Sequence, residues 1–543
     1  MARVLILDPI SSEGLELLRS EPNIEFEERL GLKGADLKAA LAEFDAAICR
    51  SGVKITADVL EGNRRLKAIA RAGVGTDNID KEAATRLGIV VMNTPTGNTV
   101  STAEHAFSLM LGLSRCVAPA NQSLCEGRWD RKSYMGTQLA GKTIGIVGLG
   151  RIGQAVARRA VAFEMKVLGF DPFLPKELAE KQGIELVETV DEMLPLVDYL
   201  TVHTPLTPET RDLVNSENLG RLKPGIRLIN CARGGIYNEA ALVEGLKSGQ
   251  IGGVALDVYE EEPCTDSPLF GMPNVLCTPH LGASTEEAQT QVALEAVQLI
   301  VRFLGTGEIR HAVNVPSVDP ATLASCRGLL QVAYRLGRIA AQWHGGRIDH
   351  MKLSYRGDAD PLRSQLMTAA ACAGVLENIV DESPNLVNAP VLGAERGITV
   401  VEERGGESVA FDQSIRLEVS GSDRSITVGG TLFGKSMPRL FEINDHRLEA
   451  FMDGPMLIFL HRDRPGVIGY VGTVLGQHNV NIAQMSVGRY SHESDGSAIG
   501  VLKLDSRVPE KAITEILSFD GIDSAVAIDL PDAKWAPSWL GGN

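Results

Sequence analysis

Three side chains far apart in the chain, Arg233, Glu262 and His280, are of the types needed to remove a proton from an alcohol that neighbours a carboxylate. Each follows a short apolar run rich in β-branched residues: IRLINCA before Arg233, GGVALDV before Glu262 and NVLCTP before His280. The carboxyl ends of strands line the ligand crevice of an open parallel sheet, so the three can converge there despite their separation. Histidine can accept the hydroxyl proton near neutrality because its ordinary pKa is ~6.5. A nearby carboxylate fixes its tautomer and favours the imidazolium, while a planar guanidinium grips a carboxylate at two points. The two glycines of CARGG would let substrate and cofactor come close. Blander readings compete. His280 could cap a helix starting near Ser284, and His203, ending YLTVHTP, is a second base at the same sheet edge. Glu262 closes the acidic run Glu260-Glu261-Glu262, a pattern that is ordinarily solvated.

A cofactor is suggested by Gly148-Leu149-Gly150-Arg151-Ile152-Gly153, which matches G-x-G-x-x-G. With 56 glycines in 543 residues, chance alone would produce that spacing roughly once in two such chains, so its context decides. The strand-like TIGIV precedes it, the helical pattern QAVARRAVAF follows, and the next strand, KVLGFD, ends in Asp171. Side-chain-free positions allow a tight turn and close approach of a pyrophosphate, and the helix N-terminus offers unpaired N–H groups. A carboxylate at Asp171 would bind ribose hydroxyls and repel a 2′-phosphate, favouring NAD over NADP.

These residues must be positioned by alternating strands and helices, and the pattern supplies them. RVLILD, AAICRS, LKAIAR and IVVMN read as strands, with SEGLELLRS and DLKAALAEF as helices between them; such alternation predicts a parallel sheet. A helix from Thr99 to about Cys116 leads into a second α/β unit, and another from Thr285 runs toward the proline-bearing VNVPSVDP. Beyond it, LLQVAYRLGRIAAQW is helical, while SIRLEVSG and SITVGGTLF alternate as strands do. The strand–turn–helix–strand order from PMLIFLHRDRPG onward predicts a small α+β unit.

NCARGG, ALDVYEEEP and TPHLGAS, following GLGRIG, resemble the signature blocks of the D-isomer-specific 2-hydroxyacid dehydrogenases. RAGVGTDNID and VMNTPTGNT extend the resemblance over residues 1 to about 315. It implies Arg233, Glu262 and His280 as the catalytic set. It puts cofactor contacts at Gly148, Gly150, Arg151, Ile152, Gly153, Asp171, Thr204, Cys231, Ala232, Arg233, Asp257, His280, Leu281, Gly282 and Ala283. The implied fold is α/β: a Rossmann-type doubly wound nucleotide domain, residues 98–284, inserted in a flavodoxin-like substrate domain of residues 1–97 and 285–315, with a cleft that closes by hinge motion. A homo-oligomer, dimer or tetramer, is implied as well.

HRDRPGVIGYVGTVLGQHNVNI resembles an ACT domain, expected over residues 454–530 with a ferredoxin-like fold. The positions matching an L-serine site are His461, Asp463 and Asn481; some relatives carry Asn at the first acidic position, and Asp463 could instead meet a ligand ammonium. Residues 318–452 resemble the α+β intervening domain found in longer members of the family, and residues 531–543 are expected to be a tail. A phosphorylated substrate needs cations besides Arg233. Candidates are Arg50 with Ser51, Arg71, Arg131 and Lys132, each otherwise an ordinary surface residue, and the resemblance adds Asn98. The function implied is NAD-dependent oxidation of 3-phospho-D-glycerate to 3-phosphohydroxypyruvate, the first step of L-serine biosynthesis, with L-serine as feedback effector. Alternatives are glycerate or 2-hydroxyglutarate as substrate, or a non-catalytic NAD-sensing, corepressor-like protein. Deleting residues 454–543 is expected to remove serine inhibition and spare basal activity.

Composition sets the remaining bounds. A net charge of −16 argues against a nucleic-acid or anionic-membrane partner. No apolar stretch approaches a span of ~20 residues. The eight cysteines have no metal-like spacing and fit reduced thiols in a cytoplasmic protein with no metal site.

Overall fold

The computed structural model describes the whole chain except residues 316–317, 319, 358–360, 378, 381–382, 406–410, 422–423, 435, 491–495 and 534–543, so most of the expected tail lies outside the described residues. The first sheet is wholly parallel, in the order Ile24–Glu28, Ala2–Ile6, Ala46–Cys49, Ala68–Arg71, Val90–Asn93. Its inner strands are apolar except for Arg3 and the terminal Arg71 because both faces are covered, each by its own core. The order is flavodoxin-like. The edge strand IEFEE is hidden from a hydrophobicity reading by its charges, which also guard an open edge against pairing.

Seven parallel strands form the second sheet, in the order Val275–Cys277, Ile251–Leu256, Ile226–Asn230, Tyr199–Val202, Thr143–Val147, Lys166–Phe170, Ile184–Leu186. This is the doubly wound Rossmann order with one more strand at its edge. The order reverses between Thr143–Val147 and Tyr199–Val202, which pair directly, so Gly148 and His203 emerge side by side at the switch point. The helix Glu286–Thr306, capped by Thr285 through the Ala288 amide, then returns to the first sheet. Its Val292, Ala296, Val297, Leu299 and Ile300 complete the core there.

A six-stranded mixed sheet follows, ordered Thr399–Arg404, His350–Arg356, Ser414–Ser420, Ser425–Phe433, Met437–Ile443, His446–Phe451. The helix Pro320–His344 lies across it. The short helix Ala389–Glu395 faces the first unit: Glu395 pairs with Arg86 at 2.7 Å, and the Asn385 and Asn388 amides donate to the carbonyls of Gly88 and Arg86. The last sheet is antiparallel, Ile482–Arg489, Ser497–Leu504, Pro455–Arg462, Ile522–Asp529, with helices Val467–Gln477 and Glu510–Leu517 on one face.

That terminal unit is not separable. Met456, Ile458, Ile499, Val501, Ile528 and Leu530 on its other face share one core with the helix Pro320–His344. Arg335 of that helix, only 2% exposed, donates to the carbonyls of Met452 (2.6 Å), Pro531 (2.7 Å) and Asp532 (2.9 Å). It thus grips the backbone where it enters and where it leaves the sheet. The physical reason is that a bare apolar sheet face is costly in water, and the helix covers it. Among the described residues no helix is long and apolar enough to cross a membrane, no acidic, His or Cys cluster could hold a metal, and the eight cysteines form no disulfide.

Candidate active site

The glycine loop is shaped by what its missing side chains would strike. Gly148 has φ +87°, and a Cβ there would lie 2.6 Å from Thr204 Cγ2 and 2.7 Å from the His203 carbonyl. A Cβ on Gly153 would lie 2.0 Å from the Gly148 carbonyl, whereas one on Gly150 would meet nothing within 4 Å. Gly150 therefore faces the open side, where the helix Arg151–Ala162 begins without a side-chain cap. Asp171 sits at the loop, its carboxylate accepting from the Leu149 amide at 2.7 Å and the Phe173 amide at 2.8 Å. The Thr204 hydroxyl beside it is buried without a partner. Arg151 is exposed, Ile152 half-buried, and Cys231 and Ala232 end the strand across the switch point. Unpaired amides, an open backbone and a carboxylate one strand away fit a dinucleotide, with pyrophosphate at the helix and ribose at Asp171.

His280 and Glu262 meet at the same sheet edge. His280 Nδ1 lies 2.6 Å from Glu262 Oε2, while the other carboxylate oxygen accepts from the Tyr259 amide at 3.1 Å. Nδ1 thus carries the proton, and Nε2 is left as the acceptor. Burial alone would raise the Glu262 carboxyl, but His280, the Tyr259 amide and Arg233 hold it below the usual range. Arg233 donates from Nε to Asp77 at 2.7 Å and from Nη1 to the Ala232 carbonyl at 2.6 Å. Its Nη2 lies 1.6 Å from where a Cβ on Gly75 would be. Arg71 Nη1 occupies the same kind of space, 1.5 Å from a Cβ on Gly73. The glycines of RAGVG are therefore slots for two guanidinium groups. The first glycine of CARGG has a different task from the one its sequence suggests: a Cβ on Gly234 would fall 1.9 Å from the Tyr259 carbonyl, so it serves chain packing.

Two sequence expectations change here. Asp257 has a structural task the sequence did not suggest: it is fully buried beneath the segment from Thr278 to Gly282, its Oδ1 met by the Thr278 hydroxyl, the Leu281 amide and His105, and its Oδ2 by the Gly282 amide. It anchors Leu281 and Gly282, with Ala283 following. His203 is pushed down to about 4 by burial and bonds to the Thr201 hydroxyl at 3.1 Å, which leaves it neutral and engaged, a poor rival to His280.

Positive charge gathers around Arg233. Burial, then the nearness of Arg233 and Arg50, lowers the Arg71 pKa, and its Nε is buried without a partner. Arg50 is held by its own backbone, its amide donating to Asp8 at 2.6 Å and its Nη1 to the Pro9 carbonyl at 3.3 Å, with Ser51 exposed beside it. Asn98, at the start of the helix Thr99–Ser114, keeps a buried carbonyl oxygen without a partner. Arg131 and Lys132 are not brought to this group. They lie exposed on an arm that closes on itself through Ser123–Asp130 and Ser133–Asp130 bonds and that carries the exposed Trp129 and Met135.

In the terminal unit, His461 is 2% exposed, its Nδ1 bonded to the Arg462 carbonyl and its Nε2 buried without a partner. Asp463 pairs with Arg489 at 2.7 Å, so its charge is already met within the chain. Asn481 donates to Asp505 at 2.6 Å, at the far end of the strand Ile482–Arg489 from Arg489. Eight residues of strand separate it from Asp463 by roughly 25 Å.

Three family models match the chain. The D-isomer-specific 2-hydroxyacid dehydrogenase NAD binding domain matches residues 107–282, the D-3-phosphoglycerate dehydrogenase intervening domain residues 326–444, and the ACT domain residues 456–521. A D-3-phosphoglycerate dehydrogenase of Synechocystis is 41% identical over 531 residues, covering 98% of this chain and 95% of that one. One of Bacillus subtilis is 41% identical over 98% of this chain and 100% of its own. Among solved structures, a glyoxylate reductase from Paecilomyes thermophila matches 57% of this chain and 98% of its own with 30% identity and a TM-score of 0.53. The chain belongs to the D-isomer-specific 2-hydroxyacid dehydrogenase family, in its D-3-phosphoglycerate dehydrogenase branch.

Proposed function

We propose that the chain oxidises 3-phospho-D-glycerate to 3-phosphohydroxypyruvate with NAD, the reaction that opens L-serine biosynthesis, in the cytoplasm. The observation that carries this reading is the convergence of the His280–Glu262 pair with Arg233, Arg71 and Arg50 around one crevice. Residues 1–97 and 285–315 would form one wall of it, and residues 98–284 the other, with 318–452 and 454–530 as regulatory domains. Bound NAD supplies the hydride acceptor. Its pyrophosphate would rest on Gly150, Arg151 and Ile152 and its ribose on Asp171 and Thr204, with the nicotinamide beside the segment from His280 to Ala283.

Arg233 binds the substrate carboxylate through Nη2, the nitrogen its two present bonds leave free, and orients the hydroxyl carbon. His280 Nε2 takes the hydroxyl proton, and Glu262, already ionised, stabilises the resulting imidazolium. Arg71 and Arg50, with Ser51 and Asn98, receive the phosphate end. The separation of Asn481 from His461 and Asp463 supports a homo-oligomer: L-serine would bind between the terminal sheets of two copies, each contributing one end. A second copy would also cover the Trp129–Met135 arm and could bring Arg131 to its partner's crevice.

Steady-state oxidation of 3-phosphoglycerate, D-glycerate and D-2-hydroxyglutarate with NAD at alkaline pH tests the reading. The phosphorylated acid should win in kcat/KM by about two orders of magnitude, since the charge-assisted bonds of a phosphate to two half-buried guanidinium groups contribute roughly 3 kcal/mol. Equal efficiency with glycerate refutes the phosphate assignment.

A further inference from the structure

The helix Thr99–Ser114 is apolar along most of its buried face, yet besides Ser114 at its end three polar side chains interrupt its first half: the buried Ser101 and Thr102 and the half-buried His105. Positions i, i+1 and i+4 share one side of a helix, and here that side faces the segment carrying His280. The Ser101 hydroxyl donates to the Gly282 carbonyl at 2.7 Å and the Thr102 hydroxyl to the same oxygen at 3.2 Å. His105 Nε2 lies 3.1 Å from Asp257 Oδ1 and 3.1 Å from the Thr278 hydroxyl. Asp257 in turn accepts from the Leu281 amide at 2.7 Å, the Gly282 amide at 2.8 Å and the Thr278 hydroxyl at 2.6 Å.

The bonds assign the protons. Thr278 gives its hydrogen to Asp257, so His105 carries hydrogen on Nε2 and shares it with the carboxylate and the Thr278 oxygen. Every lone-pair direction of Asp257 that meets His105 or the backbone is then fixed, and the carboxylate cannot rotate away from the two amides. Those amides follow His280 directly, and His280 is in a left-handed conformation, φ +56°, uncommon for a residue with a Cβ. Gly282 is matched to the same arrangement, since a Cβ there would press to 3.2 Å from Asp257 Oδ2.

We infer that His105 is a positioning residue for the base: through Asp257 it fixes the backbone turn that aims His280 Nε2 at the substrate hydroxyl. His105 touches no reacting atom. It acts two hydrogen bonds from His280, and the inference rests on His280 being the base.

The test compares His105→Leu, His105→Gln and Ser101→Ala with wild type, using 3-phosphoglycerate and NAD, with kcat, both KM values, reduced-cofactor binding by fluorescence and Tm read for each. A glutamine amide restores an N–H donor near the Nε2 position; leucine does not. Small misplacement of a catalytic group costs up to about a hundredfold in rate. His105→Leu should therefore lose kcat by at least about tenfold, with cofactor binding and both KM values within about threefold, while His105→Gln recovers most of kcat. Ser101→Ala, a milder cut of the same clamp, should lower kcat by roughly threefold and keeps the test open if the leucine variant does not fold. Unchanged kcat in His105→Leu or in Ser101→Ala, or equal loss in His105→Gln and His105→Leu, overturns the inference. His280→Asn separates the two readings: if it stays active the base assignment fails, and if it is inactive while His105→Leu runs at wild-type rate only the positioning role fails.

Discussion

Replacing Glu262 with Gln removes one charge and almost no volume, so its effect isolates electrostatics. The Glu262 carboxylate accepts from two donors, His280 Nδ1–H at 2.6 Å and the Tyr259 amide at 3.1 Å. A glutamine has one acceptor oxygen and must choose. If its oxygen faces Tyr259, its NH2 faces Nδ1, the ring proton moves to Nε2, and the base is blocked. If the oxygen faces His280, the tautomer survives, but the Tyr259 amide meets an NH2 and the imidazolium loses its counter-charge. A charge-assisted hydrogen bond contributes ~1.5–3 kcal/mol. The side chains are 46% and 35% exposed, so solvent screening puts the loss toward the lower end of that range. At ~1.4 kcal/mol per decade, kcat should fall about 10- to 50-fold. The assay is the initial rate of NAD reduction with saturating 3-phosphoglycerate, alongside KM for NAD and cofactor binding, which should stay within about twofold because Glu262 is not at the glycine loop. A Glu262→Gln enzyme with wild-type kcat would refute the tautomer argument. So would one whose loss lies entirely in KM.

Gly75→Ala should raise the KM for 3-phosphoglycerate about tenfold or more without changing that for NAD, because the new methyl displaces Arg233 Nη2 from 1.6 Å away; unchanged KM would show that Nη2 does not bind substrate. Arg71→Met keeps the buried volume and removes the cation, so kcat/KM should fall by about two orders for 3-phosphoglycerate and little for glycerate; parallel losses would remove Arg71 from the phosphate site. Glu262 and Asp257 have carboxyl pKa values lowered in the folded chain, so the stability they contribute is complete above the ordinary carboxylate range of ~4 and is lost as pH falls through it toward their lowered values. Urea midpoints followed from pH 7 to pH 3 should drop, and Glu262→Gln should flatten that slope; an identical slope counts against the pair. Arg335→Met leaves three buried carbonyls without their donor and should cost on the order of 3 kcal/mol, seen as a lower Tm; an unchanged Tm would show that the junction is held by apolar packing alone.

The strands that lead to the candidate site were legible where they are buried, parallel, mostly apolar and end in conspicuous residues, as IRLINCARGG and GGVALDV do; NVLC, an edge strand, was legible because its own residues are apolar. The short charged edges IEFEE and Ile184–Leu186 were not, since an edge strand needs no apolar face. The pairing of His280 with Glu262 could be anticipated from residue type. What sequence could not show is which polar residues face inward. Asp257 belongs to the same strand end as Glu262 and is as acidic, yet the Leu281 and Gly282 amides claim it. His105 lies in a helix whose sequence, TVSTAEHAFSLML, looks like plain core packing, and only the fold brings it to Asp257. The fused terminal unit was equally hidden, because the alternating residues of Pro455–Arg462 read the same whether their second face meets water or a helix.

Arg335 also sets an order on synthesis. It emerges from the ribosome long before Pro531 and Asp532, whose carbonyls it needs, so until they arrive its guanidinium has only the Met452 carbonyl, and the part of its core that the terminal sheet completes stays open. The catalytic half has all of its strands by then and can fold behind it. Only the last strand, arriving from Ile522 to Asp529, closes the unit. A chain cut short in its final segment would therefore leave that core open on one side of an otherwise finished dehydrogenase, an apolar surface prone to aggregation.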